Sequence, residues 1–231
     1  SIDKIYTLIF VYNFYFFAEM LVSKGFFITI EGIEGVGKST AVNFLREDFK
    51  RKKIDAIFTR EPGGTKSAEH IRNLLLSKKL ENISPETELL LMFASRVEHV
   101  NELIMPALNN GKIVVSDRFY DASYAYQGAG RGMSLDIIES LKKWALQDLT
   151  PDLTLLLDVP LDVSLDRIAR RKELDRIEKE DRCFFARVRS QYLDLAKNNK
   201  RFVVIDAGCS LEDVRLQITK ALNEKIILEK A

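Results

Sequence analysis

The chain has 231 residues, 46% hydrophobic and 30% charged, enough to bury one full core with a modest lid or appendage. Thirty-five basic against 34 acidic side chains leave a net charge of +1; no overall basic field argues for nucleic acid or an anionic membrane, so any phosphate affinity is local. Two cysteines, Cys183 and Cys209, and two histidines, His70 and His99, make neither a disulfide framework nor a zinc cluster. The histidines read as surface or helix residues, and the cysteine usage fits a reducing cytoplasm.

The first segment departs from the rest. Residues 5–22, IYTLIFVYNFYFFAEMLV, hold seven of the 21 Phe and Tyr residues. The run is nearly long enough to span a bilayer, yet it carries Asn13 and Glu19 and shows no small-residue cleavage site. The expectation is that Met20 is the natural start and that residues 1–24 are an N-terminal hydrophobic extension outside the fold. A membrane span or signal peptide and an aromatic segment packed on a neighbour are the alternatives. Residues 25–231 then form one domain.

From there, short apolar β-branched runs alternate with stretches of helical period. The runs are 26–30, 56–59, 113–116, 153–159 and 202–205. Strands apolar on both faces predict an α/β fold, a five-stranded parallel sheet flanked by helices, with functional groups at the strands' carboxyl ends. Directly after the first run comes EGIEGVGKST. Its residues Gly32, Ile33, Glu34, Gly35, Val36, Gly37, Lys38, Ser39 and Thr40 contain the G-x-x-x-x-G-K-[ST] pattern between a strand and a helix. The glycines let backbone N–H groups wrap a triphosphate, Lys38 supplies a mobile charge, and the Ser39 hydroxyl suits Mg²⁺.

After the second run, REPGGT at 60–65 sets a carboxylate, a proline and two glycines at a neighbouring strand end; an ordinary turn would also explain it. A helix opens at Ser84 with Pro85 in its first turn, keeps a stripe through Phe93, Val97, Val100, Ile104 and Leu108, and stops at Gly111. Asp117-Arg118 follows the third run, where a carboxylate could hold the magnesium shell and a guanidinium face a phosphate. Further helices span 134–147 and 161–172. The apolar period then fails across ELDRIEKED, 173–181, the lid candidate. Arg167, Arg170, Arg171 and Arg176 border it and could close over the donor, although ion pairs such as Arg171–Asp175 are common on solvated faces.

GIEGVGKST, TREPGGT, FASRVEHV, SDRF, YAYQGAGRG, PDLTLLLDV and RRKELDRIE occur in this order, and together they resemble bacterial thymidylate kinase from Phe26 to the C-terminus. The resemblance implies a three-layer P-loop nucleoside-monophosphate-kinase fold, with a lid at about 172–181, that transfers the γ-phosphoryl group of ATP to dTMP with Mg²⁺. It also implies a cytoplasmic homodimer, with no nucleic-acid partner. Lys38, Arg118 and Arg171 are the implied catalytic groups; Arg72 and Arg118 hold the dTMP phosphate, and Glu61 lies beside the sugar. Arg96, Ser123 and Gln127 fall where thymine is read, while Ser39, Asp117 and Glu34 lie near the metal. Where the family commonly stacks a Phe on thymine this chain has Met92, followed by Phe93, and the expectation is that Phe93 faces the base. The rival readings are a deoxynucleoside kinase with Glu61 as base and a non-enzymatic nucleotide switch.

Overall fold

The computed structural model describes residues 25–77 and 83–228. The apolar segment at 5–22 and Met20 lie outside them. Five strands form one parallel sheet in the order β2-β3-β1-β4-β5: β1 (Phe26–Glu31), β2 (Ala56–Arg60), β3 (Ile113–Asp117), β4 (Leu153–Asp158) and β5 (Phe202–Asp206). Each expected apolar run is a strand. Four of the five end on the charged residue just beyond it, Glu31, Arg60, Asp117 and Asp206, and β4 ends on Asp158. The register pairs Ile30 with Asp117 and Arg60 with Asp117, so three neighbouring strand ends deliver their charges to one edge of the sheet.

Strand alternation divides the interior in two. Ile28, Ile30, Ile113 and Val115 pack with Leu45 and Phe49 of α1 (Lys38–Arg51). Phe27 and Val114 point the other way, into a cluster with Phe93 of α3 (Pro85–His99) and Ile138 of α6 (Leu135–Leu146). Each fully buried Leu, Ile or Phe contributes about 1.5–3 kcal/mol, so this two-faced burial is what orders the loops at the sheet edge.

Between them, α2 (Lys66–Leu76) starts at Thr65, whose hydroxyl accepts from Ala68 N–H at 3.4 Å. Ser84 caps α3 as expected, accepting from Thr87 N–H at 3.2 Å. The helix does not run unbroken to Gly111. It passes through a π-helical turn, Val100–Ile104, into α4 (Met105–Asn109), and Gly111 follows at φ 71°. A second π-helical stretch, Tyr124–Gly130, continues α5 (Asp121–Ser123); such bulges mark functional sites more often than ordinary helix does.

The helix expected over 161–172 ends early, as α7 (Leu161–Ala169). Beyond it, Asp175 Oδ1 accepts from the backbone N–H groups of Ile177 and Glu178 at 2.8 and 2.9 Å, folding the segment into a turn. Asp181 then caps α8 (Arg182–Asn198), and α9 (Leu211–Leu228) closes the described chain. Among the described residues no helix is long and apolar enough to cross a membrane.

Candidate active site

The loop after β1 is held open by backbone geometry. Gly35 sits at φ 76°, and a Cβ there would lie 2.6 Å from the Ser164 carbonyl of α7. Ser164 Oγ donates to the Glu34 carbonyl at 2.6 Å and Arg167 Nη1 to the Gly35 carbonyl at 3.1 Å. α7 therefore clamps the loop from behind. Gly37, at φ 100°, leads into α1 with no side chain to cap it, so the first-turn N–H groups are open to an anion. Lys38 Nζ donates to the carbonyls of Gly32 and Ile33 at 3.0 and 2.9 Å. Burial, reinforced by Arg118, lowers its pKa to about 8.

Arg118 stands opposite. It is a non-glycine residue at φ 73°, an uncommon conformation. Its N–H reaches the Ile30 carbonyl at 3.0 Å and its own carbonyl accepts from Ser116 Oγ at 2.7 Å. The guanidinium is spent on four partners. Nη1 donates to the Gly32 carbonyl at 2.9 Å and the Tyr192 hydroxyl at 3.0 Å, and Nη2 to Glu34 Oε1 at 2.7 Å and the Tyr126 hydroxyl at 2.9 Å. Tyr126 also donates to Glu34 Oε2 at 2.5 Å. Burial alone would raise the Glu34 pKa, but Arg118 and Lys38 outweigh it and hold the carboxyl below its usual range. In this structure each Glu34 oxygen accepts one hydrogen bond, from Arg118 and from Tyr126, so the carboxylate orients the guanidinium.

One cavity of about 370 Å³ joins these groups to the rest. Lys38, Ser39, Glu61, Arg72, Arg96, Asp117, Arg118, Ser123, Gln127 and Arg171 all line it. Sites expected from strand ends, helices and lid are therefore brought together. Arg72 is half-buried and donates to the Pro62 carbonyl at 2.8 Å; burial, then Arg60, lowers its pKa. Arg96 is held at three points, with Nε on Glu61 Oε2 at 2.6 Å, Nη1 on Ser123 Oγ at 3.1 Å and Nη2 on the Phe119 carbonyl at 3.1 Å, and two of its five N–H groups remain for a ligand.

One expectation, the placing of Phe93, is corrected here. His99 is a helix residue, the last of α3, and it is fully buried, its Nδ1 3.0 Å from Glu61 Oε1 and its Nε2 2.7 Å from Thr59 Oγ1. Gly64 is needed beside it, because a Cβ would lie 2.5 Å from His99 Nε2. Phe93 does not line the cavity. It is 3% exposed, packed in the core under the Arg96 guanidinium at 4.7 Å, and Met92 lines the cavity instead. The ion pair Arg171–Asp175, raised as the solvated-face alternative, is not the one formed: Arg171 donates to Glu178, and Asp175 turns the backbone.

Sequence reading missed Tyr126, Tyr192, Glu31 and Glu88. Tyr126 stood inside the quoted YAYQGAGRG, where a phenol next to a glutamine was the available signal. Glu31 opened the quoted EGIEGVGKST, where a carboxylate at the strand end was the signal; Glu88 and Tyr192 are distant in the chain, and nothing local marks them. For a divalent cation the fit is favourable. Among the described residues no three His, Cys, Asp or Glu side chains gather at one point, but Asp117 Oδ1 is buried without a hydrogen-bond partner in the cavity wall beside Lys38 and Ser39. Mg²⁺ needs only one or two such carboxylate ligands when phosphates and water complete its shell.

A phosphate-binding loop at the head of a parallel sheet, with one cavity running from it to Gln127 and lined by Arg72, Arg96, Arg118 and Arg171, defines a P-loop nucleoside monophosphate kinase. Residues 30–218 match the family model described as thymidylate kinase. The chain is 51% identical over 207 residues to a thymidylate kinase of Ruthia magnifica, covering 89% of this chain and 98% of the relative. It is 48% identical to one of Pseudomonas syringae pv. tomato, over 89% and 99%. A crystal structure of thymidylate kinase from Ehrlichia chaffeensis superposes with a TM-score of 0.70 at 34% identity, covering 86% of this chain and 98% of that one. The chain belongs to the thymidylate kinase family, ATP-dependent kinases that phosphorylate dTMP. The rival readings, a deoxynucleoside kinase and a nucleotide switch, lose their support with that membership.

Proposed function

We propose that the cavity works as two subsites joined at Arg118, the donor phosphates lying on the loop 32–40 and dTMP reaching from Arg118 to Gln127. The observation that carries this is the locking of the Arg118 guanidinium by Glu34, Gly32, Tyr126 and Tyr192 on the wall shared by both ends. Arg118 and Arg72 hold the acceptor phosphate. Arg96, Ser123 and Gln127 read the base, with Met92 against its face, and Glu61 lies beside the sugar. The acceptor is a phosphate monoester, already anionic near neutral pH because its second pKa is about 6. No general base is then required. Lys38 leaves its carbonyl partners for the outer phosphates, and Arg171 swings from Glu178 to neutralise charge on the transferred group. Ser39 and Asp117 would hold Mg²⁺, which supplies charge neutralisation at the donor phosphates.

Turnover of dTMP, dUMP, thymidine and AMP with ATP and Mg²⁺ tests the assignment. dTMP is expected to exceed thymidine by orders of magnitude, because only the monophosphate engages Arg72 and Arg118. Equal turnover of thymidine would overturn it. For the metal, Asp117→Asn is expected to raise the Mg²⁺ needed for half-maximal rate about 10-fold while leaving the dTMP KM in place.

The assembly is proposed as a homodimer. Trp144 of α6, 78% exposed, together with Ile137 on the same helix and Leu90 of the adjoining α3, offers exposed apolar surface suited to a second copy. Sedimentation of Trp144→Glu against wild type checks this, a dimer in both ruling the surface out. A cytoplasmic location is proposed with it, supported by two free cysteines, Cys183 and Cys209.

A further inference from the structure

We propose that Glu88 is a positioning residue that makes the enzyme select a pyrimidine carrying a proton on N3, by fixing the direction of the Gln127 side-chain amide. Glu88 lies in the first turn of α3, buried and outside the cavity lining. Its Oε1 accepts from Gln127 Nε2 at 2.8 Å. Two arginines hold the same carboxylate: Arg176 Nη2 reaches Oε2 at 2.6 Å, and Arg131 reaches Oε1 and Oε2 at 3.4 and 3.3 Å. Burial favours the neutral acid, but Gln127, Arg131 and Arg176 together overcome it and keep the carboxyl below its usual range.

An ionised carboxylate can only accept. The Gln127 NH₂ must therefore face Glu88, and the amide carbonyl is left for the cavity that Gln127 lines. A carbonyl oxygen accepts from the imide N3–H of thymine or uracil. Cytosine presents a lone pair at N3, which would meet that oxygen acceptor to acceptor, and a site built for one hydrogen-bond polarity rejects the other strongly. The inference rests on the reading that the base lies beside Gln127. Glu88 also ties the lid to this choice: Arg176, inside the lid, donates through Nε to the Leu75 carbonyl at 3.2 Å, and Glu180 receives Arg131 Nη1 at 2.6 Å.

The test is kcat/KM for dTMP, dUMP and dCMP in wild type, Glu88→Gln, Gln127→Leu and the double variant. Glu88→Gln lets the amide turn over, and the preference for dTMP over dCMP is expected to fall at least 10-fold, with dTMP and dUMP losing activity together. Gln127→Leu should lower the preference as much, and Glu88→Gln should add nothing to it. Equal losses on all three substrates in Glu88→Gln, or additivity in the double variant, would overturn the role of Glu88. An unchanged preference in Gln127→Leu would overturn both the role and the placing of the base. If Glu88→Gln does not fold, Glu88→Asp keeps the charge, withdraws the carboxylate by one methylene, and should lose the same preference. Arg176→Gln separates the lid: it should lower kcat with the preference intact, and a matching loss of preference would show that Glu88 acts through the lid instead.

Discussion

The Tyr192 hydroxyl accepts a hydrogen bond from Arg118 Nη1 at 3.0 Å and donates its own proton to Glu31 Oε2 at 2.7 Å. α8 is thereby tied to Arg118, the proposed acceptor-phosphate arginine, and to the last residue of β1. Tyr192→Phe removes only the oxygen. A hydrogen bond to a charged group is worth about 1.5–3 kcal/mol, so kcat/KM for dTMP is expected to fall roughly 10- to 100-fold, with the ATP KM changing little. Steady-state kinetics at varied dTMP decide it; a loss under twofold would mean that Glu34 and the Gly32 carbonyl hold Arg118 without help.

Met92 and Phe93 are neighbours on α3 with opposite fates. Met92→Ala is expected to raise the dTMP KM several-fold and leave stability near wild type, because it removes surface from the cavity wall. Phe93→Ala empties a buried aromatic site and should cost about 3–5 kcal/mol of stability. Denaturant titration beside kinetics separates them, and an Ala at 93 that weakens dTMP binding without destabilising the fold would restore Phe93 as the base-stacking residue.

Arg171 is half-exposed and paired with Glu178 in the lid. The role proposed for it needs a partner that exists only during transfer. Arg171→Ala is therefore expected to lower kcat by about 10²-fold or more while the dTMP KM moves less than threefold. An unchanged kcat would reduce the lid arginines to a solvated face.

Glu31 gives the pH dependence. Burial, then the nearby Asp121, pushes its carboxyl up from 4.5 to about 8, against the pull of Arg118. Between those values the folded chain binds a proton that the unfolded chain has released, so stability falls as pH rises through the window. Glu31→Gln removes the titration. The unfolding midpoint of wild type should drop more steeply between pH 5 and pH 8 than that of the variant; parallel curves would show that Glu31 does not titrate there.

Much of the fold was legible because its signals are local. All five strands announced themselves as apolar β-branched runs, and the charged residues at their ends followed from parallel-sheet topology. The loop from Gly32 to Ser39 was readable for the same reason: glycine, lysine and serine at that spacing answer one local need, the wrapping of phosphates. Asp117 and Arg118 were found by their place after a strand. The early end of α7 was not, since Arg170, Arg171 and Lys172, the residues where the helix stops short, carry no local stop signal such as glycine or proline.

What the amino-acid order by itself determined was the sheet, the phosphate loop and the inventory of groups the site would use. What only the tertiary structure decided was how those groups are spent. Phe93 and Met92 differ by one helical step, and the packing of α3 on Phe27 and Phe119 chose which faces the cavity. Glu34 became the partner of Arg118, 84 residues away, and Gln127 was turned by Glu88, 39 residues away. Those choices depend on distances across the folded chain, and periodicity carries no information about which face a distant element will cover.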